Sequence, residues 1–241
     1  SYQIGDIRRL PFPSVKKESE INTTVKKCIE IERNDWNSYE TSWGFETSAL
    51  MKSRGNSLPF AFENFRSGCE EITLEIRNLE EFNNAKFIEA YGLQDELTPE
   101  VPLEEITLTC NPRYRYGGNR SDEELESLLK ADTMKEFISY AVGCMFGRYS
   151  LNKPGLVLAN AGEGIEDFRM QIAEWKRQNP QSEINNLQST FEPDPDNVIP
   201  VLEGEWFSDD ITERFKKFLR VTFGDEHYDE NLAFIEDAIG R

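Results

Sequence analysis

At 241 residues the chain is long enough to bury one sizeable core or two small ones. Only 38% of its residues are hydrophobic and 30% are charged, but 16 Phe, 8 Tyr and 4 Trp supply enough large side chains to exclude a chain disordered throughout. The formal charge is −18, with residues 1–66 nearly neutral and the acidic excess in residues 67–241; that field repels phosphate, excludes a general nucleic-acid clamp, and suits either solubility or contact with a basic protein.

Residues 1–13 read as an extended lead-in, because Pro11 and Pro13 oppose a helix. Ile21, Val25, Cys28 and Ile29 recur at helical spacing and predict a helix over 15–32. Residues 34–45 hold Trp36, Tyr39, Trp43 and Phe45, a loop expected to be pinned onto a core by its aromatic rings. A longer helix is predicted over 64–91, with Ile72, Ile76, Leu79, Asn83 and Phe87 on one stripe and a glutamate-rich outer face. Beyond Pro99 and Pro102, residues 106–110 alternate like a short strand. Ser121, followed by Asp122, Glu123 and Glu124, has the form of a helix start. The best helical signal runs from Asp132 to Tyr149, with Gly143 and Gly147 four apart as a place where another element approaches the backbone. Residues 155–159 and 197–202 are predicted to pair as two strands flanking a polar insert, 160–196, which holds one helix near 165–176. Helices over 208–222 and 229–239 close the chain.

The expected fold is therefore mainly α, a helical spacer with a minor antiparallel β element, with α+β as the alternative. Residues 1–130 form a first region of lead-in, aromatic loop and helices. Residues 131–241 form a second, helical region with a small hairpin and the polar insert. The chain opens without Met and closes on Gly240 and Arg241 directly after an amphipathic helix, which reads as a piece of a longer protein.

Cys28, Cys69, Cys110 and Cys144 lie far apart with no CxxC pair, and His227 is the one histidine. No metal is expected from such a ligand set, and the pattern suits a reducing cytoplasm with Cys144 buried as a small apolar residue. No signal peptide or long apolar run points to export or a membrane. His227, before the last helix and without a nearby nucleophile motif, reads as a surface residue rather than a general base. Gly162-Glu163-Gly164 and Gly117-Gly118-Asn119 lack the Lys-Ser/Thr ending of a phosphate loop, and Asp194-Pro195-Asp196-Asn197 reads as a turn rather than a calcium loop.

Asn111-Pro112-Arg113-Tyr114 is the sharpest motif, because amino-methylating DNA enzymes hold their target amine with an Asn-Pro-Pro-Tyr loop. Here Arg113 stands where the second proline would be, and no glycine-rich cofactor loop precedes it, so an Asx-Pro turn is expected. Arg113, Tyr114, Arg115, Tyr116 and Arg120 form a basic-aromatic cluster within the acidic region, the candidate DNA contact. No catalytic, cofactor-binding or metal-binding residue is assigned.

Four runs carry a family resemblance: Ile4-Gly5-Asp6-Ile7-Arg8-Arg9-Leu10-Pro11-Phe12-Pro13; Asp35-Trp36-Asn37-Ser38-Tyr39-Glu40-Thr41-Ser42-Trp43; Phe137 through Leu151; and Asp196-Asn197-Val198-Ile199-Pro200-Val201, continuing through Glu205-Trp206-Phe207 and Asp209-Asp210-Ile211. In order and spacing they resemble the PglX adenine-specific DNA methyltransferases of the BREX phage-defence system, over most of the chain except 160–196. The resemblance implies site-specific adenine-N6 methylation by a whole cytoplasmic protein that uses S-adenosylmethionine and binds DNA, with other BREX proteins as partners. It also implies that the cofactor site and catalytic loop lie upstream of residues 4–13, so no family catalytic residue falls on this chain. The reading is a non-catalytic spacer on the recognition side of such an enzyme. An acidic module docking another BREX component is the alternative, and a methyltransferase active in this piece alone is the third reading.

Overall fold

In the computed structural model, residues 18–53, 55–160, 162–182, 191–201, 207 and 209–240 are described. They hold eight α-helices: α1 Glu18–Trp36, α2 Ala49–Lys52, α3 Leu58–Tyr91, α4 Pro112–Tyr116, α5 Asp122–Met145, α6 Ile165–Gln178, α7 Ile211–Phe223 and α8 Tyr228–Ile239. Short 3₁₀ turns lie at Leu103–Glu105 and Asp225–His227.

The spine is α3, 34 residues and so about 50 Å long. Pro59 stands in its first turn, where the missing N–H costs nothing, and Gly92 ends it in the left-handed conformation at φ 70°. Ser57 makes no side-chain cap; Asn231, buried on α8, accepts the Leu58 N–H at 2.7 Å instead. That bond satisfies one of the helix's orphan donors from another element. The N-terminal part of α3 joins α2, α5, α7 and α8 around Leu50, Leu58, Phe62, Phe137, Phe218 and Ile235. Phe137 meets Phe215, Phe218 and Phe223 at ring-centroid distances of 5.7–6.5 Å. Further along, α3 packs against α1 and residues 106–110 in a smaller core of Cys69, Ile76, Ile106, Leu108 and Cys110, edged by Cys28 and Ile31.

Helix α5 begins as its sequence predicts. The Ser121 hydroxyl accepts from Glu124 N, and the Glu124 carboxylate accepts from Ser121 N, a complete capping box. It runs unbroken across residues 130 and 131. It ends at Met145, short of the predicted Tyr149, because Gly147 turns left-handed at φ 72°. Gly147 is therefore a helix-ending residue, not a mid-helix one. The chain then folds back, Arg148 N donating to Gly143 O at 2.8 Å, and lays the Tyr149 ring over Gly143. A Cβ on Gly143 would stand 2.6 Å from that ring, so the close approach expected there is made by a returning loop rather than by a neighbouring helix.

No strand occurs among the described residues; Ser150 and Lys153 form an isolated bridge. The minor β element is thus corrected, and the reason is where the backbone N–H groups go. Val157 and Leu158 donate to Arg148 O and Gly147 O, closing the turn after α5 instead of pairing with residues 197–202. On the other side Val198 N donates to the Asp194 and Asp196 carboxylates, and Val198 and Val201 stay exposed. Leu202 lies outside the described residues. Residues 106–110 are not a strand either: the Asp35 carboxylate at the end of α1 accepts from Thr109 N at 2.7 Å and Cys110 N at 3.0 Å.

Two apolar stripes are also corrected. On α1, Ile21 is buried, but Val25 and Ile29 face out at 41% and 51% exposure, since Cys28 and Ile31 turn inwards instead. On α3, Ile76 is buried while Ile72 and Phe87 are exposed, because the packed stripe is Phe62, Cys69, Thr73 and Ile76. In the aromatic loop only Phe45 is fully pinned, edge-on to Tyr140 and Tyr149. Trp36 is 58% exposed and Trp43 wholly so, held outwards by a turn in which Asn37 binds Ser42 and the Ser42 hydroxyl accepts from Gly44 N. The lead-in, residues 1–13, lies outside the described residues.

Candidate functional site

Asn111 sets the geometry of the basic-aromatic cluster. Its Oδ1 accepts from Arg113 N at 3.1 Å, capping α4, and Pro112 occupies the first turn. Its Nδ2 donates to Leu103 O at 2.7 Å and Ile106 O at 2.9 Å, and the residue is 2% exposed. Both donors and the acceptor of this amide are spent on the backbone of its own neighbourhood, as an Asx-Pro turn requires. A methyltransferase loop must instead present the amide to an incoming base.

Helix α4 then lays its cations on the acidic flank of α5. Arg113 pairs with Asp122 at 2.6 Å and approaches Glu104 at 3.6 Å. Arg115 pairs with Glu136 at 2.7 Å and Asp132 at 3.5 Å, and lies over the rings of Tyr39 and Tyr116. The Tyr116 hydroxyl donates at 3.1 Å to Leu128 O and is 3.1 Å from Asp132 Oδ2. Arg120 curls back to donate to Tyr116 O and Gly117 O. Tyr114 stands 46% exposed. The five residues are together, as their spacing predicts, but the arginines meet carboxylates and carbonyls of the chain itself.

The electrostatics follow from burial. Desolvation pushes the Glu136 carboxyl above its usual range, against the opposing pull of Arg115. Burial is the largest influence on Arg115 and works against its charge, but the hydrogen bond it donates to Glu136 and the nearby negative charge together hold the guanidinium above its ordinary value. Asp132 shows the reverse balance to Glu136: burial raises it, yet hydrogen bonds from Lys135 and Tyr116 leave it lowered. Burial also pushes the Tyr116 hydroxyl upwards, so it remains a proton donor.

A cavity of about 460 Å³ opens beside this cluster, between the loop after α1 and the outer face of α5. Its chemistry comes from Trp36, Tyr39, Glu40, Phe45, Arg115 and Glu136. Residues so far apart in the chain give no local motif; the one trace in the sequence is the density of aromatic rings over 34–45. His227 sits at the surface with Nδ1 3.0 Å from the Glu230 carboxylate. All four cysteines are free, and Cys144 is buried. Asp194 does turn the chain: its Oδ1 accepts from Asp196 N and Val198 N, while Oδ2 pairs with Arg214. Among the described residues no cluster of metal-ligating side chains is found, and no helix is long and apolar enough to cross a membrane.

Along its whole length this chain is similar to a segment of adenine-specific methyltransferases. It is 35% identical over 239 residues, 99% of the chain, to the adenine-specific methyltransferase BrxX of Escherichia coli O9:H4 (strain HS). It is 32% identical over 247 residues, 100% of the chain, to the adenine-specific methyltransferase PglX of Lacticaseibacillus casei (strain Zhang). The chain spans 18% of the length of the first and 17% of the second. The PglX likeness carried by the quoted runs thus extends across the entire sequence, the insert included. No protein-family model matches it.

Proposed function

We propose that the chain is a non-catalytic spacer on the recognition side of a PglX-like, site-specific adenine-N6 DNA methyltransferase acting in BREX antiphage defence. The observation that carries this reading is Asn111: the one residue in a methyltransferase-like motif has its amide consumed by capping α4 and bracing residues 103–106. A helical body packed along the long α3 and α5 suits the task of holding other parts of a longer protein apart. S-adenosylmethionine and DNA belong, on this reading, to the whole cytoplasmic protein. Within the chain, Arg113, Tyr114, Arg115, Tyr116 and Arg120 remain the candidate DNA contact, with Tyr114 and Arg120 exposed.

A second reading, docking of a basic partner protein on the acidic surface, draws on the formal charge of −18. Calorimetric titration of the isolated chain with S-adenosylmethionine tests the non-catalytic reading. No binding and no methyl transfer to DNA are expected; micromolar binding overturns it.

A further inference from the structure

The cavity between the α1–α2 loop and α5 is ligand-sized: its volume of about 460 Å³ falls within the usual range for small-molecule clefts. Aromatic surface comes from Trp36, Tyr39 and Phe45. Its two cations are already committed, Arg115 to Glu136 and Lys135 to Asp132. Arg115 Nη1 has no hydrogen-bond partner, but it is shut off from solvent and offers nothing to a ligand. Glu40 is different. It is half-buried, its Oε2 accepts from the Ser139 hydroxyl at 2.5 Å, and it forms no ion pair among the described residues.

A carboxylate partly withdrawn from water has lost hydration that an incoming cation would replace. Neighbouring aromatic faces attract the same charge through their quadrupoles. A guanidinium suits both at once, because it is planar, weakly hydrated, stacks on rings and forks onto a carboxylate. The geometry points to a binding site for an arginine guanidinium presented by a basic partner protein, with Glu40 as its counter-charge and the exposed Trp36 ring as its stacking surface, since Arg115 already lies over Tyr39. The surrounding negative field draws in a partner bearing several cations more strongly than a single arginine. This gives the docking reading a place on the molecule; the spacer reading stands or falls separately, on the cofactor titration.

The probes are N-acetyl-arginine amide and its uncharged near-isostere N-acetyl-citrulline amide, titrated into the ¹⁵N-labelled chain. The arginine amide should shift the Trp36 indole N–H resonance saturably, and the citrulline amide should bind about tenfold more weakly or worse. Glu40→Gln keeps an acceptor for Ser139, so the fold should survive while binding drops by about the same factor. Glu174→Gln, on α6 and outside the cavity lining, should bind as the wild type. Equal response to citrulline, or unchanged binding by folded Glu40→Gln, overturns the site. The peptide acetyl-Lys-Arg-Lys-amide should bind more tightly than N-acetyl-arginine amide, and equal affinity overturns the partner-borne source. Should Glu40→Gln not fold, Trp36→Ala, at an exposed position, is read through peak shifts at Tyr39 and Glu136, and retained affinity there also overturns the site.

Discussion

Asp194 is 4% exposed and carries a charge, so its environment must supply what water would. Burial pushes its carboxyl upwards, but the hydrogen bonds of Asp196 and Val198 and the Arg214 guanidinium outweigh that and hold it below the ordinary range. Because its folded pKa lies below its unfolded one, Asp194 contributes stability that is fully present above the unfolded value of about 3.9. That contribution is lost as pH falls through the folded value. Arg214→Met strands the carboxylate and should cost about 3–5 kcal/mol at neutral pH. Urea unfolding of both proteins should show this gap narrowing as pH is lowered to about 3, where protonation relieves the uncompensated charge. A cost independent of pH would mean that Arg214 acts through packing alone. The tie matters beyond one residue, since Asp194 N also donates to Met145 O and so joins the end of α5 to α7.

At the scale of elements, the end of α5 shows how a helix terminus can organise a region. Gly147 ends the helix, Tyr149 returns over Gly143, and Tyr140 stacks on Tyr149 with centroids 5.4 Å apart while Phe45 meets both rings edge-on. The α1–α2 loop, α5 and the loop after it are thereby locked to one another through aromatic contacts, each adding about 0.5–1.5 kcal/mol beyond area burial. Gly143→Leu would drive a side chain into the Tyr149 ring and should destabilise by about 1–3 kcal/mol. Thermal unfolding of that variant checks the contact, and an unchanged midpoint would refute it. The helical spacing of Gly143 and Gly147 is visible in the sequence, but it suggests two equivalent glycines. Only the structure shows that both are closely approached, Gly143 by Tyr149 and Gly147 by Leu158, and that Gly147 alone also makes a left-handed turn.

For the whole molecule, the distribution of charge decides what the Arg113–Arg120 cluster does. Arg115 is the cluster's most buried cation, and its pairing with Glu136 and Asp132 fastens α4 to α5. Arg113 is more exposed, so its pair with Asp122 contributes less. Replacing Arg113, Arg115 and Arg120 together by Gln in the full-length protein should lower its stability by about 1–3 kcal/mol, mostly through Arg115. The salt dependence of DNA binding by the remaining folded protein should not change. If these residues line the DNA path instead, the salt slope should fall by about one unit for each arginine–phosphate pair removed. Measuring unfolding and salt-dependent DNA binding on the same variant separates the two roles.

Helix positions, the Ser121 capping box, the Asn111 turn and the likeness to PglX are legible in the sequence because each depends on residues close together or on a linear order. That the described residues form no hairpin is not legible. Residues 155–159 and 197–202 carry apolar side chains suited to strands, but their fate rests on which acceptors their N–H groups meet, and those acceptors are carbonyls of Gly147 and Arg148 and carboxylates of Asp194 and Asp196. The same holds for the site. Five basic and aromatic residues in a row suggest a surface for nucleic acid, whereas the carboxylates of α5 that pair with the arginines are brought alongside only by tertiary packing. Glu40, Trp36 and Glu136 share one cavity for the same reason: the loop after α1 and the face of α5 are separated in the chain by α2, α3 and α4 and meet only once both have packed.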